Sequence, residues 1–460
     1  MPQSLLDKEQ IYCSQGDTSG RRAPKKSFAR AEGEWLFDFQ GRRYLDLQMC
    51  NSAANFGYGS PAHVEALISQ ARTLPSLASE FIHKERVELA EKMCLAIEER
   101  FGVRGHIHFS VGGAQAIDDV LKLIARLTGT TRIFAFEGSY HGRTLAASCV
   151  SGSYRYRTGF GGAAMADFVP FPYCNRCPYG AEPKSCGYLC ISQFGRRFEG
   201  EGPGQSDGDG RTECRAFLAE PVQGRGGYLP APREYFQRLK IILDEHKILF
   251  VADEVQMGFF RAGSLFSIEN YGVVPDIIVF GKAVTNGMFP LSGLWAREPL
   301  LAPANWPVGS SHATFAAAPL GTALGLATLQ LCASRDWAAR AEEVGSAIEI
   351  ICRRLAERYP QIRYINRLGA ALSLDIADPD GAPDPDMAHA VVEIALRGDT
   401  DIAGEPMGLV MTTGGGHGNM IMLAPSLGME SSSIDLLETL LRAAFDRAVS
   451  SRIGTEVTDV

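Results

Sequence analysis

The sequence predicts an α/β protein built on a mostly parallel sheet covered by helices. Two observations carry the prediction. Short runs of bulky apolar residues recur without the alternation of a half-exposed strand, as in "RIFAF", "ILFVADEV" and "DIIVFGKAV". Strands buried on both faces read this way. Longer stretches with helical apolar spacing lie between them, and parallel βαβ units need that alternation.

In chain order, residues 35–47 ("WLFDFQGRRYLDL") alternate apolar and polar around Gln40-Gly41, which predicts an N-terminal hairpin. Residues 84–100 place Val87, Leu89, Ala90, Met93, Leu95 and Ile97 on one broad helical face. "HIHFSV" then precedes the helical "GGAQAIDDVLKLIARLTG", "RIFAF" precedes "EGSYHGRT", and "AFLAEPV" precedes a helix around 232–246. "ILFVADEV" and "DIIVFGKAV" complete the strands. A long helical stretch starts near Leu320 and is broken by a turn near Ser334-Arg335. It leads out of a large domain into a smaller C-terminal one. The Gly- and acid-rich 199–213 and the Pro- and Asp-rich 378–386 read as exposed loops. "TTGGGHGN" (412–419) reads as a hairpin or loop with His417 exposed, and there is no internal repeat.

Composition narrows the class. The 460 residues are 45% hydrophobic and 21% charged, enough for two domains, and the net charge of −8 argues against a nucleic-acid partner. The N-terminus lacks the order of a secretory signal, and no apolar run reaches the roughly 18 residues of a membrane span. Eleven cysteines, an odd number, fit a reducing, cytoplasmic compartment better than a disulfide framework.

Ligands of open α/β sheets sit beyond the carboxyl ends of the strands, and four segments put polar groups there. In "SVGGAQAIDD" a glycine pair opens a helix, leaving N–H groups and a helix dipole for an anion such as phosphate. In "FEGSYHGRT" Tyr140 and His141 occupy a short turn, where an aromatic ring can stack on a flat heterocycle. In "LFVADEVQMGF" Asp253 and Glu254 end an apolar strand, and a protonated ring nitrogen is one partner that offsets a buried carboxylate. In "DIIVFGKAVTNG" Lys282 ends the next strand, where a desolvated amine can form a Schiff base. Each has a plainer reading alone: a turn, a packed loop tyrosine, a helix cap, a surface lysine. Together they provide the four things that pyridoxal phosphate asks for.

The stretches "VGGAQAIDDVLKLIAR", "FEGSYHGRT", "AEPVQGRGGY", "VADEVQMGFFRAG", "GVVPDIIVFGKAV", "FPLSG" and "SHATFAAAPL" resemble, in this order, those of class III (ω-type) pyridoxal-phosphate aminotransferases of fold type I. The resemblance implies a large domain (61–322) with a seven-stranded, mostly parallel sheet between helices. A smaller α+β domain would come from the N-terminal segment (1–60) and residues 323–460. It implies that Lys282 holds the cofactor's aldehyde and shuttles the substrate proton, and that Asp253 pairs with the pyridinium nitrogen. Tyr140 stacks on one ring face beside His141, and Val255 packs on the other. Gly113 and Ala114 give N–H groups to the phosphate, and Gln256 approaches the phenolic oxygen. Thr314 reaches the phosphate of the neighbouring subunit, which requires a homodimer with shared sites. Glu220 lies near the substrate, an amine donor or carbonyl acceptor. No metal is implied.

The sequence departs from the family at several places. Gln115 stands where glutamate is common, and Met257 and Phe260 replace smaller residues, an expected change at the mouth of the site. Many relatives carry a carboxylate-clamping arginine in "IRLxPPL"; here "NMIMLAPSL" has Met422, which cannot bind a carboxylate. The acceptor is then expected to lack a carboxylate near its reacting carbon, as an amino-sugar precursor does, unless Arg225 or Arg261 supplies the charge. Cys174, Cys177, Cys186 and Cys190 fall within 17 residues, a grouping that can hold zinc or an iron–sulfur cluster, although reduced structural cysteines are the expectation. An epimerase or racemase on the same scaffold, with Tyr140, His141 or a cysteine as second acid/base, is the nearest alternative. A non-catalytic binding protein is the third.

Overall fold

The computed structural model describes residues 4–14, 16, 26–159, 164–199 and 212–456. Its seven-stranded sheet runs Gly105–Ser110, Ser292–Arg297, Ile277–Phe280, Leu249–Asp253, Ala216–Ala219, Ile133–Phe136 and Ala166–Val169. Pairing is parallel from Ile277–Phe280 to Ala166–Val169, and Ser292–Arg297 runs antiparallel to both its neighbours. The sheet is therefore mostly parallel. "ADFV" and "SGLWAR" do not stand out as strands in the sequence, because neither is a continuous apolar run.

The central strands are buried on both faces, and successive residues feed two different cores. Phe134, Phe136, Phe217, Phe250 and Phe280 join Phe236, Leu239 and Leu243 of the helix Tyr235–Glu245. Ala135, Leu218, Val251 and Val279 join Ala116, Val120 and Ile124 of the helix Gly113–Thr128.

A third core gathers the rest. Strand Arg43–Asp46 of the N-terminal hairpin pairs in parallel with Glu405–Val410, which joins the two ends of the chain. Leu45 and Leu47 pack with residues of the helices Trp337–Arg358, Pro385–Leu396 and Ser431–Glu456. A four-stranded sheet completes it, ordered Ile362–Leu368, Ala371–Ile376, Met420–Leu423 and Thr412–Gly414.

The expected hairpin forms, with Gly41 at φ +80° in its turn. The helical stretch at 84–100 is Lys84–Phe101, but its buried face is narrower than expected. Leu89, Met93 and Ile97 are buried, whereas Val87 and Leu95 are exposed. Each lies two residues, about 200°, from that row. The long stretch after Leu320 splits into Pro319–Ala333 and Trp337–Arg358, with Asp336 capping the second by accepting from the Ala339 N–H at 2.9 Å.

Residues 378–386 are not wholly a loop. Asp384 is buried and caps Pro385–Leu396, accepting from the Met387 N–H at 2.9 Å; Asp followed by Pro is itself a helix-start signal. Of the other expected loop, residues 200–211 lie outside the described residues. Residues 412–423 form the hairpin, with His417 exposed. No described helix is long and apolar enough to cross a membrane.

Candidate active site

Parallel pairing of Leu249–Asp253 with Ile277–Phe280 brings Asp253 and Lys282 to one edge of the sheet. Lys282 follows an extended Gly281, opens a short 3-10 turn (Lys282–Thr285) and sits at φ +44°. A lysine held in the left-handed region is a strained arrangement of the kind that collects at functional sites. Its side chain is only partly exposed. Burial lowers the amine from its ordinary 10.5 to about 8, against the pull of the Asp253 and Glu220 carboxylates.

The two adjacent carboxylates part company. Asp253 faces the site: Oδ1 accepts from the Val255 N–H at 3.1 Å and Oδ2 from His141 Nδ1 at 2.7 Å. Glu254 points away and accepts from the Ser267 N–H, the Ser267 hydroxyl and the Ile268 N–H, at 2.7–2.8 Å, so it caps the turn Ser267–Tyr271. His141 is buried, and its Nε2 has no hydrogen-bond partner among the described residues. Buried polar atoms are rarely left so unless something else is to meet them.

The anion seat is the start of Gly113–Thr128. Gly112 is extended there, and no side chain caps the helix, so its first N–H groups point outward. Two glycines let other segments close in. A Cβ on Gly113 would stand 3.0 Å from Val255 Cγ1. One on Gly142, at φ +134°, would stand 2.5 Å from the Ala114 Cβ. Gln115 fastens the turn by accepting from the Val111 N–H at 3.0 Å. Val255 is wedged between Gly113 and Gly281.

Tyr140 donates its N–H to Glu220 Oε2 at 2.9 Å, and its half-buried ring meets Tyr156 edge-on at 4.9 Å. Glu220 is buried and also accepts from the Gly224 N–H at 3.0 Å; burial raises its carboxyl to about 7. The Gln256 amide donates to the Asn51 carbonyl at 3.3 Å and to the Tyr228 hydroxyl at 3.4 Å.

The remaining expected residues have different surroundings. Thr314, expected at the phosphate of the neighbouring subunit and not in this chain's own site, is exposed. Met422 is buried in the main core, with its thioether against Gly414 beside the Arg225 carbonyl. Met257 and Phe260 are buried core residues, so neither lies open at a mouth. Arg261 cannot supply charge to a substrate. It is fully buried, and its guanidinium donates to Asn55 Oδ1, the Ala370 carbonyl and the Pro425 carbonyl.

The segment Met49–Ser52 also borders the site and is not legible in the sequence. Its four residues all have positive φ, and it places Cys50 within electrostatic reach of Lys282. Nothing in "MCNS" beyond an asparagine hints at left-handed backbone. Cys174, Cys177, Cys186 and Cys190 are free thiols lining one small apolar cavity. No group of three metal-ligating side chains is assembled among the described residues.

The residues present fit pyridoxal phosphate. An uncapped helix start suits its phosphate, Asp253 its ring nitrogen and a depressed-pKa lysine its aldehyde. When bound, the group supplies an electron sink for the carbon bearing the transferred amine. What the chain itself contributes is a carboxylate fixed by His141 and the Val255 N–H, an amine able to hold or release a proton near neutrality, and a hydrophobic wall at Val255.

Comparisons with known proteins agree with this arrangement. A family model described as "Aminotransferase class-III" matches residues 19–445. A probable 4-aminobutyrate aminotransferase of Bacillus subtilis is 31% identical, over 95% of this chain and 97% of the relative. A leucine/methionine racemase of Thermococcus litoralis is 30% identical, over 93% and 92%. The crystal structure of an amine transaminase from an uncultivated Pseudomonas species, in its pyridoxal-phosphate-bound form, matches with a TM-score of 0.83 at 26% identity. That match covers 94% of this chain and 97% of the other.

Proposed function

The chain belongs to the class-III aminotransferases, enzymes of fold type I that use pyridoxal phosphate, and on that premise we propose that it takes an amino group from an amino-acid donor and delivers it to an aldehyde or ketone acceptor. The convergence of Lys282, Asp253 and the uncapped helix start at one sheet edge carries this reading. Lys282 moves the proton, Asp253 holds the ring nitrogen, Gly113 and Ala114 seat the phosphate, Tyr140 and Val255 flank the ring, and Gln256 and Glu220 border the substrate. An acceptor without a carboxylate at its reacting end, such as an amino-sugar precursor, suits the apolar Met422.

Replacing Lys282 removes the group that shuttles the proton, so Lys282→Ala is expected to slow amino transfer by about 10²–10⁴-fold or more. A variant turning over at the wild-type rate would refute the assignment. For the acceptor, the pyridoxamine form of the enzyme is mixed with 2-oxoglutarate or with carboxylate-free aldehydes, and the cofactor absorbance is followed. Faster return with 2-oxoglutarate removes the Met422 reading.

The homodimer belongs to the same proposal. Phe315 and Ile82 are 62% and 85% exposed, and their segments are tied by His83 Nε2 to the Ala317 carbonyl at 3.0 Å. A second copy covering this apolar surface brings Thr314 to its partner's phosphate. Sedimentation at nanomolar to micromolar concentration tests it, and a monomer throughout rejects it. Eleven free thiols suit a reducing cytoplasm.

The leucine/methionine racemase relative favours racemisation as the second reading. A single amino-acid stereoisomer in deuterated water, without acceptor, separates the two. Labelled, inverted amino acid with no carbonyl product selects racemisation.

A further inference from the structure

The short strands Val222–Gln223 and Leu229–Pro230 are joined by a turn whose residues 224–227 are Gly-Arg-Gly-Gly. The glycines let that turn press into its surroundings. A Cβ on Gly224 would stand 2.9 Å from the Gln256 Cδ, and one on Gly227, at φ +118°, 2.7 Å from the Met420 Cγ. Arg225 is thus the one side chain carried at the tip. Its backbone is fixed: the Arg225 carbonyl accepts from the Gly415 N–H at 2.9 Å, which anchors the turn to the hairpin that bears Met422. A Cβ on Gly414 would meet Met422 Sδ at 2.5 Å and the Arg225 carbonyl at 3.0 Å, so position 422 and Arg225 share a neighbour.

The Arg225 charge is felt at the site and is not used up elsewhere. It acts electrostatically on Lys282, Tyr140 and Tyr228. The side chain is half-buried, and among the described residues its guanidinium makes no ion pair and no hydrogen bond. The nearby Glu220 carboxylate is held by the N–H groups of Tyr140 and Gly224 instead. The buried Arg261 is committed to Asn55, Ala370 and Pro425. A half-buried guanidinium with open donors is a bidentate receptor for a carboxylate.

We propose that Arg225 is the carboxylate anchor for the amino-acid donor, supplying from the Gly224–Gly227 turn the charge that position 422 lacks. The inference rests on the aminotransferase reading above and adds a residue and a ligand chemistry to it. The donor's carboxylate binds Arg225 while its amine faces Lys282. A carbonyl acceptor without a carboxylate enters the second half of the cycle without that contact.

The test uses the cofactor-loaded wild type and the variants Arg225→Gln and Arg225→Lys. Probes are L-glutamate, 4-aminobutyrate and 5-aminovalerate against butylamine, which has no carboxylate. Glutarate, which cannot react, reports binding through the cofactor absorbance. Arg225→Gln is expected to weaken glutarate and raise KM for the carboxylate donors by about 10-fold or more, the scale of a lost charged hydrogen bond. Butylamine should lose far less than the carboxylate donors, since it never meets the guanidinium and feels only the altered field at Lys282. Arg225→Lys should be intermediate, as a single-point donor replaces a fork. Equal weakening of butylamine and the carboxylate donors, or unchanged glutarate binding, overturns the anchor and leaves the aminotransferase assignment standing. A wild type that uses butylamine alone does the same. A wild type that takes an amino group from no donor overturns both.

Discussion

Lys282 shows how one residue's surroundings make its chemistry. An ordinary lysine amine is almost wholly charged at neutral pH, but burial brings this one to about 8, so about one-tenth is neutral at pH 7. A neutral amine is what attacks an aldehyde. Capture of pyridoxal phosphate by the apoenzyme is therefore expected to accelerate about tenfold per pH unit below pH 8 and to level off above it. Asp253→Asn should move that midpoint lower, because the Asp253 carboxylate favours the charged amine. Stopped-flow absorbance from pH 6 to 10.5 checks both, and a rate still climbing past pH 10 refutes the lowered amine. The Asp253–Glu254 pair shows a second residue-scale rule. Neighbours in a strand face opposite ways, so one carboxylate enters the site and the other caps a turn.

At the scale of elements, Lys84–Phe101 shows how periodicity overreaches. Counting apolar residues puts Val87 and Leu95 on its inner face, but one helix presents one row to its neighbour. Leu89 lies in that row so closely that a Cβ on Gly325 of Pro319–Ala333 would stand 2.7 Å from it. Leu89→Ala is expected to cost about 2–5 kcal/mol. Leu95→Ala, 57% exposed, should stay within about 0.5 kcal/mol. Urea denaturation of the two variants decides it, and similar losses would mean that both residues are packed. Strands were the more legible elements, because burial on both faces leaves a continuous apolar run. Within the seven-stranded sheet the exceptions, "ADFV" and "SGLWAR", carry polar or glycine residues.

Over the whole molecule, Arg261 ties the large sheet to both ends of the chain. Its three acceptors come from Asn55 near the N-terminal hairpin, Ala370 beside the four-stranded sheet, and Pro425 after strand Met420–Leu423. Arg261→Met fills the volume but leaves three buried acceptors without a donor, at about 1–3 kcal/mol each. The expected result is a lower urea midpoint with loss of catalytic activity at lower denaturant than in the wild type. An unchanged midpoint would mean that other donors replace it. Arg225 and Arg261 read alike in the sequence as candidate charges for a substrate; only the packing around each distinguishes them.

The sequence by itself determined the sheet class, the helix start at Gly113, and the placing of Asp253 and Lys282 at strand ends. Each of these follows from local apolar runs, glycine placement and the chemistry of a single side chain. The tertiary structure decided which carboxylate faces the site, that His141 steadies Asp253, that Met49–Ser52 runs left-handed beside Lys282, and which arginine keeps its donors open. Those depend on contacts between segments far apart in the chain, and on how much water each group loses there, quantities that residue order does not carry.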